Sequence, residues 1–128
     1  MLRQAIQQNP SDAQSYNMLA YALAGQKRLP EAVTAAHNAL KLSPADGNIL
    51  DTVADMHQRR KEYTTAEGYY KQSLEHGNSN SSETLEKYGE TLLALGKKDE
   101  GIAELKKAMN SQDAWGQKAR QKLAALGQ

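Results

Sequence analysis

Two helical stripes of small and apolar residues return along this chain at a nearly fixed interval. Tyr16-x2-Leu19-Ala20-x2-Leu23, Leu50-x2-Val53-Ala54-x2-His57 and Leu85-x2-Tyr88-Gly89-x2-Leu92 form one series. Each precedes a second trio: Ala32-x3-Ala36-x2-Ala39, Ala66-x3-Tyr70-x2-Ser73 and Gly101-x3-Leu105-x2-Ala108. The interval is 34 residues from the first copy to the second and 35 from the second to the third. A unit of that length with two amphipathic helices cannot bury its apolar faces alone, so neighbouring units stack into a helix-turn-helix solenoid. The expected fold is all-α, and a solenoid is chiefly a surface for holding other molecules.

Punctuation divides the chain into helices. Ser11 with Gln14 three residues on predicts a capping box for a first helix over 12–24, and Gly25 predicts a left-handed C-cap. Pro30 suits the first turn of a second helix running to 42, because its missing N–H is unpaired there in any case. Ser43-Pro44-Ala45-Asp46 predicts a cap, a proline at the first helical position and an acid at the positive helix end. Helices over 46–60 and 63–76 follow, then the polar stretch 77–82, which carries the one inserted residue. Asn80 with Glu83 predicts the next cap, with helices over 81–95 and 98–110 separated by Gly96. Asp113 to Leu126 is helical by pattern, its stripe of Trp115, Ala119, Leu123 and Leu126 packing on the third unit. A terminal repeat needs such a half-polar cover. The expected division is a half repeat over 1–10, repeats over 11–44, 45–79 and 80–112, and a capping helix over 113–128. Leu2, Ala5 and Ile6 stand before Pro10 as Ala36, Ala39 and Leu40 stand before Pro44, so the chain reads as starting in mid-repeat, as part of a longer protein.

Composition excludes several functions. The 128 residues carry a formal net charge of +1, so no broad basic field is available for nucleic acid. The absence of cysteine removes thiol catalysis, thiolate metal sites and disulfides. No apolar run approaches membrane-spanning length, and Met1-Leu2-Arg3-Gln4 does not open a signal peptide. His37, His57 and His76 fall in different units with no second histidine or carboxylate at ligand spacing, and read as packing or surface residues. Glycine-rich phosphate loops and nucleophile elbows are missing. The expectation is a non-enzyme without metal or cofactor.

The recurring residues resemble the tetratricopeptide-repeat (TPR) family, whose helix A carries a large residue, then Leu-Gly, then a large aromatic, and whose helix B carries Ala, Phe/Tyr, Ala and Pro. Small residues stand where the paired helices must touch: Ala20, Ala54 and Gly89 in helix A, and Ala32, Ala66 and Gly101 in helix B. Departures are His57 at an aromatic slot, Ser73 at a small apolar slot, and Asn78 and Asp113 at closing prolines; each is expected to weaken its joint. The resemblance implies a right-handed superhelix with a concave face lined by the A helices. The family's groove positions correspond to Gln14, Asn17, Tyr21 and Ala24 in the first unit. In the second they correspond to Asn48, Asp51, Asp55, Gln58 and Arg59, and in the third to Glu83, Glu86, Glu90 and Leu93. Asp51 and Asp55 share one helical face, as do Glu83, Glu86 and Glu90, so the surface is expected to grade from neutral and aromatic to acidic.

The implied function is a non-catalytic interaction module that takes a protein or peptide segment in this groove, a Lys/Arg-bearing one by charge. TPR co-chaperones hold acidic heat-shock-protein tails with Lys, Asn and Arg. The matching positions here are Asn17, Tyr21, Thr52, Glu83 and Lys87, of which Glu83 would repel a carboxylate. The alternative is an architectural segment of a larger bacterial assembly for secretion or envelope polysaccharide export. Localisation is then envelope-associated or periplasmic, and otherwise cytoplasmic. An apolar flank before Leu2 would also let a second copy dock there.

Overall fold

The computed structural model describes residues 12–128; the expected half repeat over 1–10 and the Ser11 cap lie outside them. Seven α-helices follow in antiparallel succession: α1 Ala13–Gly25, α2 Leu29–Leu42, α3 Gly47–Arg59, α4 Tyr63–Ser73, α5 Ser82–Ala94, α6 Lys98–Ala108 and α7 Ala114–Ala125. A π-helical turn, Leu74–Asn78, extends α4 before the chain breaks at Gly77, whose φ is +106°. The tightest packing is within the pairs α1/α2, α3/α4 and α5/α6. Each second helix also contacts the next first helix, and α7 lies over α5 and α6. The described residues therefore form an all-α helical-repeat solenoid.

The starts of α1, α3, α5 and α7 are set by short acceptor side chains. Asp12 accepts from the Gln14 and Ser15 amides at 3.0 and 3.4 Å, and Asp46 from those of Asn48 and Ile49 at 2.9 and 3.3 Å. Ser81 accepts from the Thr84 amide at 3.3 Å, and Asp113 from that of Gly116 at 2.9 Å. Each satisfies an amide that the helix itself leaves without a partner. Asp12, Asp46 and Ser81 keep the 34- and 35-residue interval, and they correct the expected caps of Ser11, Ser43 and Asn80. Asp46, not Ser43, caps α3, with Pro44 in the preceding turn. Ser81 replaces the expected Asn80.

The turns inside each pair obey one geometry. Lys27, Lys61 and Gly96 have φ of +63°, +64° and +79°. The following amides of Arg28, Glu62 and Lys97 each reach back 2.9 Å to Leu23, His57 and Leu92 carbonyls. This closes a Schellman motif at the same register in all three units. Gly25, the expected left-handed residue, is instead the last residue of α1. The first two units place a lysine where glycine alone is free of a Cβ clash, and the third places Gly96 there.

The recurring small residues are the contact points. Ala20, Ala32, Ala36, Ala54 and Ala66 are fully buried. A Cβ added to Gly89 would come 2.8 Å from Leu105 Cγ and 3.2 Å from the Gly101 carbonyl oxygen; one added to Gly101 would come 3.0 Å from the Gly89 carbonyl oxygen. The core is three linked clusters: Leu23, Val33 and Met56 with the first alanines; Tyr70, Tyr88 and Leu92 in the middle; Leu85, Ile102, Leu105 and Leu123 at the end.

Three departures from the repeat pattern make hydrogen bonds at their joints. Ser73, fully buried, donates to the Gly47 carbonyl at 2.7 Å and accepts from Asn78 Nδ2 at 2.9 Å, tying the π turn to the start of α3. At the third unit, Asp113 caps α7 and accepts from the Ser82 hydroxyl at 2.5 Å.

A methyl group at Gly47 would press against the backbone carbonyl of His76, which has no side chain to swing aside. Gly47→Ala is expected to destabilise by about 1–3 kcal/mol, the usual cost of overpacking. Gly68, exposed in α4 with open space around it, sets the control: Gly68→Ala should stabilise by about 0.5–1 kcal/mol. Urea unfolding of the two variants beside the parent chain measures both.

Candidate functional site

The concave face is built on the first helices of the three pairs, α1, α3 and α5, with α7 closing its far end. Two cavities run along it. The first, about 350 Å³, lies near the helix starts and is lined by Gln14, Asn17, Tyr21, Asn48, Asp51, Thr52, Ser81, Glu83 and Thr84. The second, about 320 Å³, lies near the helix ends and is lined by Asp55, Gln58, Arg59, Lys87, Glu90, Trp115 and Lys118.

Of the residues named from sequence, Gln14, Asn17, Tyr21, Asn48, Asp51 and Glu83 meet in the first cavity, and Asp55, Arg59 and Glu90 in the second. Glu86 does not face open groove: it is fully buried. Ala24 and Leu93 belong to the core instead. Trp115 corrects the expectation of pure packing. It stands half-buried on the groove side, with Lys118 Nζ 4.8 Å and Lys87 Nζ 5.8 Å from its ring centroid. Only its place at the start of a terminal helix pointed there. Its spacing with Ala119 and Leu123 mimics a core stripe.

Lys87 organises the floor. Its ammonium, nearly excluded from solvent, donates to Asp51 at 2.5 Å, to Glu83 at 2.8 Å and to Asp55 at 3.4 Å, so three donors meet three carboxylates. Burial opposes its charge, but the Asp51 and Asp55 carboxylates outweigh that and hold the ammonium protonated well above the usual lysine range. Thr84 donates to the other Asp51 oxygen at 2.5 Å. Asp55 also accepts from Arg59 at 3.2 Å, and Glu90 pairs with Lys122 of α7 at 2.5 Å. The expected acidic gradient is therefore largely neutralised inside the protein. Lys87 is also the sole cation at the positions of the co-chaperone clamp, and these ion pairs occupy it.

Aromatic rings mark both cavities. Tyr21 shares a hydrogen bond of 3.4 Å with Thr52, and the Arg59 guanidinium lies 5.8 Å from its ring centroid. Burial, with the Asp55 and Asp51 charges adding to it against Lys87, pushes the Tyr21 hydroxyl up to about 12, so it stays a neutral donor. Asn17 Oδ1 is buried with no hydrogen-bond partner among the described residues.

The comparisons identify the repeat. The family model for the tetratricopeptide repeat matches residues 1–34. YrrB, whose crystal structure is described as that of a TPR protein with an unusual peptide-binding site, superposes with a TM-score of 0.79 at 21% identity. That match covers 87% of this chain and 57% of YrrB. Two crystal structures of MamA superpose with TM-scores of 0.77 and 0.74 at 12% and 17% identity. They cover 87% and 85% of this chain and 64% and 59% of theirs, so the chain spans about three fifths of the proteins it resembles. No curated protein sequence matches it.

Residues 1–34 thus match the tetratricopeptide repeat, and the fold of the described residues is like that of a TPR protein. Among the described residues no helix is long and apolar enough to cross a membrane.

Two titratable clusters in this chain escaped sequence reading. Glu86 sits beneath α7 with both carboxyl oxygens lacking a hydrogen-bond partner among the described residues. Burial, and then the Glu90 carboxyl beside it, push it up to about 7 against Lys118 and Lys122. His37 and His57, expected to lie apart, meet between α2 and α3 with their Nε2 atoms 2.9 Å apart. Burial, His57 and Lys41 hold His37 below the usual histidine range.

Removing the central ammonium strands three carboxylates. Lys87→Met is expected to cost about 3–5 kcal/mol at pH 7, as for other buried pairs that lose one partner. In urea titrations the loss should shrink near pH 4, where the carboxylates begin to protonate. Glu86 has the opposite sign from a salt-bridged acid. Its folded value lies above the unfolded one, so its contribution is whole below about pH 4.5 and disappears as pH rises through about 7. Thermal melts between pH 5 and 8 should show that decline, and Glu86→Gln should flatten it.

Proposed function

We propose that the chain is a non-catalytic module that seats an extended peptide segment along its concave face, from Gln14, Asn17 and Tyr21 to Arg59, Trp115 and Lys118. The observation that carries this reading is the lining of the two cavities along the first helices of the pairs. Both are polar, each holds one aromatic ring, and the first contains Asn17, whose Oδ1 has no partner among the described residues. A peptide supplies amide donors for Asn17 and side chains to stack on Tyr21 and Trp115, while Lys87 has already neutralised the carboxylates that would repel a backbone carbonyl. The similarity to YrrB agrees with a peptide ligand, as a likeness of fold.

Charge gives the segment a direction. Glu83 remains 43% exposed at the first cavity, whereas Asp51 and Asp55 are buried in ion pairs. The second cavity carries the exposed guanidinium of Arg59 and the Lys118 ammonium. A Lys or Arg of the ligand therefore sits by Glu83, and an acidic or aromatic group by Trp115 and Lys118. Such pairing sets orientation and encounter rate more than affinity, and it is screened by salt.

Trp115 is the single tryptophan and reports directly on the groove. Selection of nine-residue peptides from a random library, followed by fluorescence titration, should yield binders with a basic residue separated from an aromatic or acidic one. Tyr21→Ala and Glu83→Lys should each weaken them at least about tenfold, the scale of one lost hot-spot contact. Lys71→Ala, on the exposed side of α4, should leave them unchanged. A library that yields no groove-dependent binder would favour the architectural alternative.

A further inference from the structure

We propose that Glu86 makes the seat of α7 proton-dependent: the terminal helix rests firmly on α5 and α6 while this buried carboxyl is neutral, and loosens as it ionises. Trp115 and Lys118 ride on α7 and line the second cavity, so the same proton governs how firmly a segment is held there. That consequence rests on the peptide-binding reading, whereas the seat of α7 does not.

The repeat register explains why Glu86 has no partner. It stands five residues after the Ser81 cap, as Asp51 stands five after the Asp46 cap. Asp51 is met from the next unit by Thr84 and Lys87, three and six residues after Ser81. α7 packs on α5 and α6 as α5 packs on α3 and α4, so it stands where the partners of Glu86 would come from. Three and six residues after its Asp113 cap are Gly116 and Ala119, whose side chains carry no polar group. A Cβ at Gly116 would press into the Ser111 carbonyl, so a threonine like Thr84 has no room there. Both Glu86 oxygens are thus enclosed, at 0% exposure, without a donor among the described residues. A carboxyl in that setting resists taking a charge.

The charges around it do not supply the missing donor. On α5, Glu90 lies one turn on and pairs with Lys122 at 2.5 Å. On α7, Lys118 and Lys122 favour ionised Glu86, but burial and then the Glu90 carboxyl outweigh them. The acids of α4 and α6, Glu67, Glu100 and Glu104, act on Tyr88, two residues along and on another side of α5. Asp51 and Asp55 of α3 are engaged by Lys87, and Glu75 and His76 of the π turn are exposed. α7 itself is held by the apolar contacts of Ala119, Leu123 and Leu126 and by Arg120, which donates to the Met109 and Ser111 carbonyls at 2.6 and 2.9 Å. Lifting the helix brings water to Glu86, whose value then returns to that of an ordinary carboxylate. Because the seated value is the higher one, the seat is whole below about pH 4.5 and weakens as pH rises through about 7.

Hydrogen exchange of the full chain between pH 6 and pH 8, corrected for the intrinsic pH dependence of amide exchange, tests this. The α7 amides are expected to exchange through an opening of their own, with less protection than those of α5. That opening should become about tenfold more populated from pH 6 to pH 8, as linkage requires for one group moving between about 4.5 and about 7. Glu86→Gln, of nearly the same shape and neutral at every pH, should keep the α7 opening level across the range. Protection in α7 equal to that in α5, an opening that stays level in the parent chain, or a pH dependence that persists in Glu86→Gln would overturn the proposal. No ligand enters the measurement, so its failure and a failure of the peptide library are separate results.

Discussion

Two helices can bring their backbones together only where neither presents a large side chain, and this architecture depends on that approach at every pair. Gly89 and Gly101 show the limit: a methyl on either would meet the other's carbonyl oxygen at 3.2 or 3.0 Å. Ala20 and Ala32, and Ala54 and Ala66, hold the equivalent positions with no exposed surface left. Close pairing lets the larger residues work between units instead. Met56 reaches the first pair's alanines, Tyr70 meets Tyr88 at 6.2 Å, and Leu105 packs with Leu123 of α7. The identical Schellman turns at Lys27, Lys61 and Gly96 keep every pair in the same register. Small contacts within units and large contacts between them are two halves of one solution, because the volume withdrawn at the first is what the second fills.

A second constraint acts across the units and is polar. Asp51 and Asp55 of α3, Glu83 and Lys87 of α5 and the Thr84 hydroxyl form one hydrogen-bonded floor. Burying one charge in a helical array is costly, and a buried lysine survives only with its donors filled. Placing its acceptors on the neighbouring unit makes stacking in the right order a condition for satisfying it. A slip of one residue along α5 would swing Lys87 away from Asp51, so the network selects the register that the apolar contacts also favour.

The fold was legible because its information is periodic. Ala20, Ala54 and Gly89 at one slot, and Asp12, Asp46 and Ser81 at another, say the same thing three times, and agreement among copies overrides any one exception. Caps were missed by one to three residues because several acceptor side chains stand in line at each start, and only backbone geometry chooses between Ser43 and Asp46 or Asn80 and Ser81. The groove was legible in outline through helix faces. Its charge was not, because the partners that neutralise Asp51 lie more than thirty residues away. Sequence spacing reports neighbours on one helix, whereas Lys87 reaches Asp51 through the stacking of units. His37 and His57 went unseen for the same reason, as did Ser73 and Asn78, whose two separate departures from the repeat pattern close one hydrogen-bonded latch.

The terminal helix joins these threads. α7 covers the apolar end of α5 and α6 through Ala119, Leu123 and Leu126. From its other face come Trp115 and Lys118, which line the second cavity, and Lys122, which pairs with Glu90. A cover that contributes only apolar surface would leave Glu90 and the buried Glu86 as two adjacent carboxylates without a counter-charge. The lysines that keep α7 soluble on its outward side are thus the same ones that let two acids sit under it. Glu86 pushed up to about 7 shows that the compensation is incomplete: near neutral pH Glu86 keeps its proton in part of the molecules rather than holding a full charge. The groove and the end cap consequently share one electrostatic balance. A basic ligand group brought near Glu90 would compete with Lys122 and favour the ionised form of Glu86, so occupancy of the second cavity and protonation beneath α7 are linked, each shifting the other by the same free energy.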